Sequence, residues 1–439
     1  MTGLALGGTS LAVVLMLIAL RVPIGVALGS VAFCGFWYVR GWNTALGQLR
    51  EVPYNFVANW DLSAIPMFLL MGAIVAVSGT ATALFRAARL WLAALPGGLA
   101  VATNMACAGF AAGCGSSVAA SATMGRIAIP EMMRAGYEKG LAAGTVASAG
   151  TIAALIPPSI LLVIFGVFAE VSITALLLAG ILPGLLTAAL YSIMIILRCM
   201  HNPSLAPPIS LDDEPDLRRA RWRALVEIWP IALLMVGIVG ALYSGTVTPT
   251  EVGAAGAFLA LVIAVLQGKM NLAKLIEALK DSMSVTAQIF FVGIGALLYT
   301  RFLALTGMSR LLSDMIVPLG LDPLLVMLAI TVIFLILGMF LDPLGILLIT
   351  MPVFVPLVNA LDMNLIWFGV LAVKFIEIGM LSPPLGFNVY VVKSVVGNTI
   401  PLQRIFAGVS WFLLCDIIVV ILLILFPVIV LFIPELMRG

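Results

Sequence analysis

The sequence predicts an all-α polytopic membrane protein built as two inverted-topology repeats, each carrying a re-entrant helical hairpin and a transmembrane helix broken at proline. Three observations lead there. First, 63% of the 439 residues are hydrophobic and 10% are charged. The chain repeatedly supplies windows of roughly 18–20 apolar residues, each enough to cross a hydrocarbon core about 30 Å thick. The 22 basic and 20 acidic residues are too few to cover helices that are apolar on every face, which excludes a soluble bundle. Second, Pro23, Pro130, Pro157 and Pro158 fall on Pro249, Pro356, Pro383 and Pro384 at one ungapped offset of 226 residues. Prolines cost helix stability, so this coincidence marks an internal repeat. Third, fifteen of the 22 Lys and Arg residues share one side when the linker 198–223, with its five arginines, is taken as cytoplasmic. That count requires residues 93–130 and 323–358 each to enter and leave by the same face.

The elements follow in order. The first repeat covers 1–200, a cytoplasmic linker 201–226, and the second repeat 227–433. Apolar runs at 4–20 and 23–39 are spans, and the first, with no basic leader or small-residue cleavage site, is expected to be retained. Residues 41–62 and 268–283 occupy matching places and read as helices lying in the headgroup layer; the second puts Leu272, Leu275, Ile276 and Leu279 on one face. A span at 63–79 leads into the hairpin 93–130, the broken helix 140–169 and a span at 172–197. After the linker, spans at 227–243, 249–267 and 284–303 precede the hairpin 323–358, the broken helix 364–395 and a last span at 408–433. Five full spans per repeat, an odd number, inverts one half against the other and puts both termini outside.

Several chemistries are excluded. The five cysteines have no zinc or disulfide spacing, the single histidine, His201, lies in the linker, and no phosphate-loop lysine, nucleophile elbow or His-Glu motif is present. No basic stripe points to nucleic acid. An intramembrane enzyme built on Ser116 or Asp342 lacks a base or a second catalytic carboxylate, so an enzyme is not expected. Energy for any transport must come from an ion gradient or a partner.

The chemistry is expected where helices stop at membrane depth, because lipid offers no partners to freed N–H and C=O groups and ions or substrates take that place. In Gly113-Cys114-Gly115-Ser116-Ser117 the glycines permit a tight turn. Ser116 and Ser117 begin a half-helix whose free N–H groups suit a carboxylate, while the preceding half-helix ends in carbonyls that suit a cation. Pro157-Pro158 and Pro383-Pro384 expose further carbonyls over 150–156 and 379–382 opposite the tips. Oxygen-only ligands fit Na⁺. Asp342, at the place matching Ser116, either ligates a cation or caps the half-helix that starts at Pro343. For the substrate, Ser116, Ser117, Ser159 and Asn388 are the nearby polar side chains, and half-helices beginning at Ser117, Pro158 and Pro384 can hold a carboxylate without a buried arginine. Lys374 and Glu377, three apart, are expected to pair with each other, and Glu170, Glu251 and Asp416 to reach water at span ends.

Five segments together resemble the large membrane subunit of tripartite ATP-independent periplasmic (TRAP) transporters: GGLAVATNMACAGFAAGCGSSVAASATMGRIAIPEMMRAGY (97–137), AAGTVASAGTIAALIPPSILLVIFGV (142–167), AGILPGLL (179–186), GMFLDPLGILLITMPVFVPLV (338–358) and IEIGMLSPPLGFNVYVV (376–392). The resemblance implies an elevator-type importer in the bacterial inner membrane. Its cargo would be a C4-dicarboxylate, sialic acid or similar carboxylate, coupled to Na⁺, with no organic cofactor. It would be fed by a periplasmic substrate-binding protein and accompanied by a small four-helix membrane subunit. It also implies one Na⁺ site at Gly115 and Ser116 with Gly150 and Pro157 opposite, and another at Asp342 with Gly379 and Ser382. Family tips often read Ser-Gly-Ser, where this chain has Cys114-Gly115-Ser116, and a thiol is a poorer Na⁺ ligand than a hydroxyl. The competing expectation is a stand-alone ion-coupled dicarboxylate carrier of the same superfamily, which needs no partner.

Overall fold

The computed structural model describes residues 3–208, 216–308, 318 and 320–437; Arg310, Arg438 and the middle of the linker lie outside them. Every regular element among the described residues is helical. Among the described residues six helices are long and apolar enough to cross a bilayer alone, and a seventh candidate is the pair Leu217–Glu227 and Trp229–Ser244, bent by 42°.

The breaks in the chain follow from residue chemistry. Pro23 starts the helix Ile24–Arg40, and Gly41, at φ +86°, ends it. The amphipathic helix Trp42–Val57 then folds back, with the Trp42 ring edge-on to Phe33 and Trp37. Gly97 and Gly115, both left-handed, bound the helix Gly98–Cys114, and Ser116 caps its partner Ser117–Arg134. This pair is the first hairpin, shifted a few residues C-terminal to the expected 93–130. The first broken helix runs Lys139–Gly150, unwinds through Thr151–Ala154, and resumes at Ile160–Phe168. The same order recurs later: Pro323–Gly338 and Pro343–Ala360 flank a tip at Met339–Asp342, and Leu365–Gly379 and Phe387–Val396 flank the second break. Both Pro-Pro bonds, 157–158 and 383–384, are cis.

Two expectations are corrected. The half-helices after the breaks begin at Ile160 and Phe387, because Ser159 and Gly386 are the capping residues, not at Pro158 and Pro384. The stretch 268–283 is not a separate arm: from Leu272 it is the beginning of one 35-residue helix, Leu272–Thr306. No proline interrupts 272–306, and its glycines serve packing, Gly295 lying so close to the Gly25 carbonyl that a Cβ there would sit 2.4 Å from the oxygen.

Packing separates an outer layer from a centre. Ala64–Val77, Pro249–Leu266, Leu272–Thr306 and Ile24–Arg40 pack together, and Arg301 of the long helix pairs with Glu51 of Trp42–Val57 at 3.1 Å. At the centre, every residue from Gly140 to Gly150 and from Ile366 to Gly379 is buried, as helices that are apolar all round require. Leu402–Leu425 closes on Lys139–Gly150 through Gly140, Gly144 and Gly408. In the linker, Leu217–Glu227 docks on Thr80–Leu92, where Arg221 Nε donates to the Leu90 carbonyl at 2.8 Å and Trp91 faces Trp222 edge-on.

Candidate functional site at the hairpin tips

Each tip is held by backbone rather than by large side chains. Gly115 takes φ +65°, and its Cα faces the Pro158 carbonyl so closely that a Cβ would lie 2.3 Å from that oxygen. Ser116 accepts the Ala119 N–H at 3.4 Å, capping its half-helix, and the Cys114 thiol donates to the Ser116 carbonyl at 3.6 Å. Gly150 lies behind the tip, against Ser121 and the Ser117 carbonyl. At the second tip Asp342 accepts the Gly345 N–H at 3.1 Å. Capping by Asp342 is therefore what the structure contains. Gly338 and Gly379 meet backbone to backbone, a Cβ on either lying within 2.6 Å of the other's Cα.

Between the tips and the long helix lies a cavity of about 320 Å³. Gly115, Ser116, Ser117 and Asp342 line it, together with Glu377, Asp281, Ser282 and Gln288, which sequence reasoning did not nominate. Gly150 and Pro158 stand directly behind the first tip, and Gly379 behind the second. Pro157, Ser159, Ser382, Pro384 and Asn388 are outside the lining. Ser159 and Ser382 spend their hydroxyls on the carbonyls of Ala154 and Ile378, Pro384 is exposed, and Asn388 is buried with neither side-chain polar atom partnered.

The expected Lys374–Glu377 pair does not form. Lys374 Nζ instead contacts Asp416 Oδ1 at 2.6 Å and Thr187 Oγ1 at 3.3 Å, and Tyr191 donates to the same Asp416 oxygen at 2.7 Å. Asp416 is 1% exposed and does not reach water. The i, i+3 rule fails because a neighbouring helix brings a second carboxylate to Lys374. Glu377, freed, accepts the Ser117 hydroxyl at 2.9 Å. One signal for this was available: an ionisable residue inside an apolar run is a functional candidate by default.

Broken helices whose ends converge on a shared cavity carrying a few polar groups, in a chain of long apolar helices, define a multi-pass membrane transporter. Comparison with known proteins narrows the class. Over residues 11–429 the chain matches the family described as Tripartite ATP-independent periplasmic transporter, DctM component, and it belongs to that family, the large permease subunits of TRAP transporters. It is 35% identical over 380 residues to the C4-dicarboxylate TRAP transporter large permease protein DctM of Pseudomonas aeruginosa, covering 86% of this chain and 85% of that one. It is 31% identical over 418 residues to the sialic acid TRAP transporter large permease protein SiaM of Vibrio cholerae (95% and 96% covered). Identity to the ectoine/5-hydroxyectoine large permease protein UehC of Ruegeria pomeroyi is 30% over 429 residues (96% and 97% covered). Among solved structures, the fold is shared with the YdaH transporter of Alcanivorax borkumensis at TM-score 0.56 and 15% identity, covering 86% of this chain and 88% of that one. The family is one of transport permeases, not enzymes, and its members are multi-pass proteins of the bacterial inner membrane.

Proposed function

We propose that this chain is the membrane path of a Na⁺-coupled importer of an organic acid, supplied by a periplasmic binding protein and completed by a small four-helix membrane subunit. The observation that carries the proposal is the convergence of Ser116, Ser117 and Asp342, with a half-helix N-terminus, on one otherwise largely apolar cavity. Tip carbonyls with Gly150 and Pro157, and Asp342 with Gly379 and Ser382, hold Na⁺, while the end beginning at Ser117 takes the carboxylate. In this reading the two hairpins are re-entrant from opposite faces, the repeats are inverted, and the buried centre moves as an elevator against the outer layer. Relatives named for C4-dicarboxylates, sialic acid and ectoines mark the range of cargo.

Reconstitution tests the proposal. Proteoliposomes are to be prepared with the chain alone, with the small subunit, and with both the small subunit and the binding protein. Uptake is expected only in the complete system, and only with an inward Na⁺ gradient; K⁺ in its place abolishes it, because the oxygen ligands of the tips close around the smaller ion. Uptake by the chain alone would establish a stand-alone carrier instead. Uptake that ignores Na⁺ and follows a proton gradient would sink the coupling.

A further inference from the structure

The cavity has an unusual charge balance. Among the described residues its walls carry the carboxylates Asp281, Asp342 and Glu377 and no Lys, Arg or His. Asp281 is exposed. Asp342 sits on the N-terminus of its own half-helix and is offset by the N–H groups there. Glu377 differs from both. It is 1% exposed, Oε1 accepts the Ser117 hydroxyl, and Oε2 has no hydrogen-bond partner. Lys374, one helical turn earlier, makes no hydrogen bond or ion pair to it, because its ammonium contacts Asp416 and Thr187, with Tyr191 donating to the same Asp416 oxygen. Among the described residues no cation lines the cavity from the first tip, the second tip or the long helix. A buried carboxylate oxygen left bare costs far more than one that is paired.

We infer that Oε2 of Glu377 is a ligand for cargo: it receives a positively polarised group, either the coupling cation or an O–H or N–H donor on the transported molecule. The inference rests on the reading of this cavity as the transport site. Ser117 then has two tasks on adjacent atoms: its backbone stands at the helix end that holds the substrate carboxylate, and its hydroxyl fixes Glu377. A substrate with hydroxyl or ammonium groups beside its carboxylate fits directly. One with two bare carboxylates meets Glu377 only through a bridging cation. The Lys374–Asp416 cluster acts as a positioning device, keeping the ammonium off Glu377.

The test uses the complete transporter in nanodiscs, with wild type, Glu377→Gln, Glu377→Asp and the double variant Lys374→Met/Asp416→Leu. Two readings are taken: thermal stabilisation by NaCl alone against choline chloride, and competition against uptake by malate versus succinate and by lactate versus propionate, pairs that differ by one hydroxyl. Glu377→Gln is expected to weaken one reading by about tenfold or more, the size of one hydrogen bond to a charged group. Loss of Na⁺ stabilisation assigns the group to the cation, and loss of the preference for the hydroxylated partner assigns it to the substrate. Glu377→Asp, which keeps the charge and withdraws the oxygen, is expected to give the same loss and stands in if Glu377→Gln melts early. The double variant is expected to keep both readings; their loss there would overturn the separation of the two clusters. Unchanged readings in both Glu377 variants overturn the inference. A wild type without any Na⁺ response refutes Na⁺ coupling, while the hydroxyl comparison still decides the role of Glu377.

Discussion

Gly115→Ala is the sharpest perturbation of the first tip. Two costs are superimposed. A left-handed backbone, φ +65°, charges an L-residue about 1–2 kcal/mol. A methyl placed 2.3 Å from the Pro158 carbonyl oxygen forces backbone apart, and overpacking of that kind costs about 1–3 kcal/mol. Gly79→Ala separates them: Gly79 has φ +77° and nothing within 4 Å of the added methyl, so it carries only the first cost. The unfolded-state entropy change of a Gly→Ala substitution is common to both and cancels. Gly115→Ala should therefore be less stable than Gly79→Ala by about 1–3 kcal/mol, measured by equilibrium unfolding in mixed micelles. Pushing the tip off Pro158 also moves Ser116 and Ser117, so half-saturating Na⁺ and substrate should rise for Gly115→Ala and not for Gly79→Ala. Equal stability of the two variants, with normal uptake in both, would refute the account of tip and break as one interlocked unit.

Three further outcomes follow from the geometry. Asp416→Asn strands the Lys374 ammonium among apolar helices and should destabilise by about 3–5 kcal/mol in the same unfolding assay, whereas Lys374→Met/Asp416→Leu should stay near wild type. Gly338→Ala brings a methyl to 2.6 Å from the Gly379 Cα, and should cost about 1–3 kcal/mol and impair Na⁺-driven uptake; wild-type behaviour in both assays would mean the second hairpin can part from its broken helix freely. Cysteines replacing Glu51 and Arg301, whose side-chain ends pair at 3.1 Å, should be bridged by a bismaleimide, which spans the gap left by the two long side chains, without loss of uptake if the outer layer is immobile; loss would put the helix Trp42–Val57 among the moving parts.

The sequence disclosed most where local rules decide the outcome. Ser117 begins its half-helix as expected, because a Gly-Ser step supplies both the turn and the cap. Asp342 before Pro343 does the same. The Pro-Pro breaks are where they were read, and only the resumption of helix moved, by two or three residues, to the first residue after a suitable cap. What stayed hidden was decided by which helices become neighbours. Apolar patterning placed Asp416 at a span end, yet packing seals it beside Lys374, 42 residues away. The same packing dissolved the Lys374–Glu377 pair and turned Glu377 toward the cavity. Asp281 stayed hidden because 268–283 reads as a separate headgroup-layer helix, whereas it begins the 35-residue helix Leu272–Thr306, which carries Asp281 to the cavity at the tips.

The buried cluster around Lys374 also bears on how the protein is made. Lys374 and Asp416 are 42 residues apart, so at about 5–20 residues per second the lysine leaves the ribosome roughly 2–8 s before its counter-ion exists. A lysine at mid-membrane costs about 2.5–3.5 kcal/mol to insert, and for those seconds Asp416 cannot offset it. Thr187 and Tyr191, on Ile181–His201, are by then long synthesised. The first half of the chain thus receives the second, and entry of Leu365–Gly379 into the bilayer depends on Ile181–His201 already being in place, with Asp416 arriving last to close the cluster.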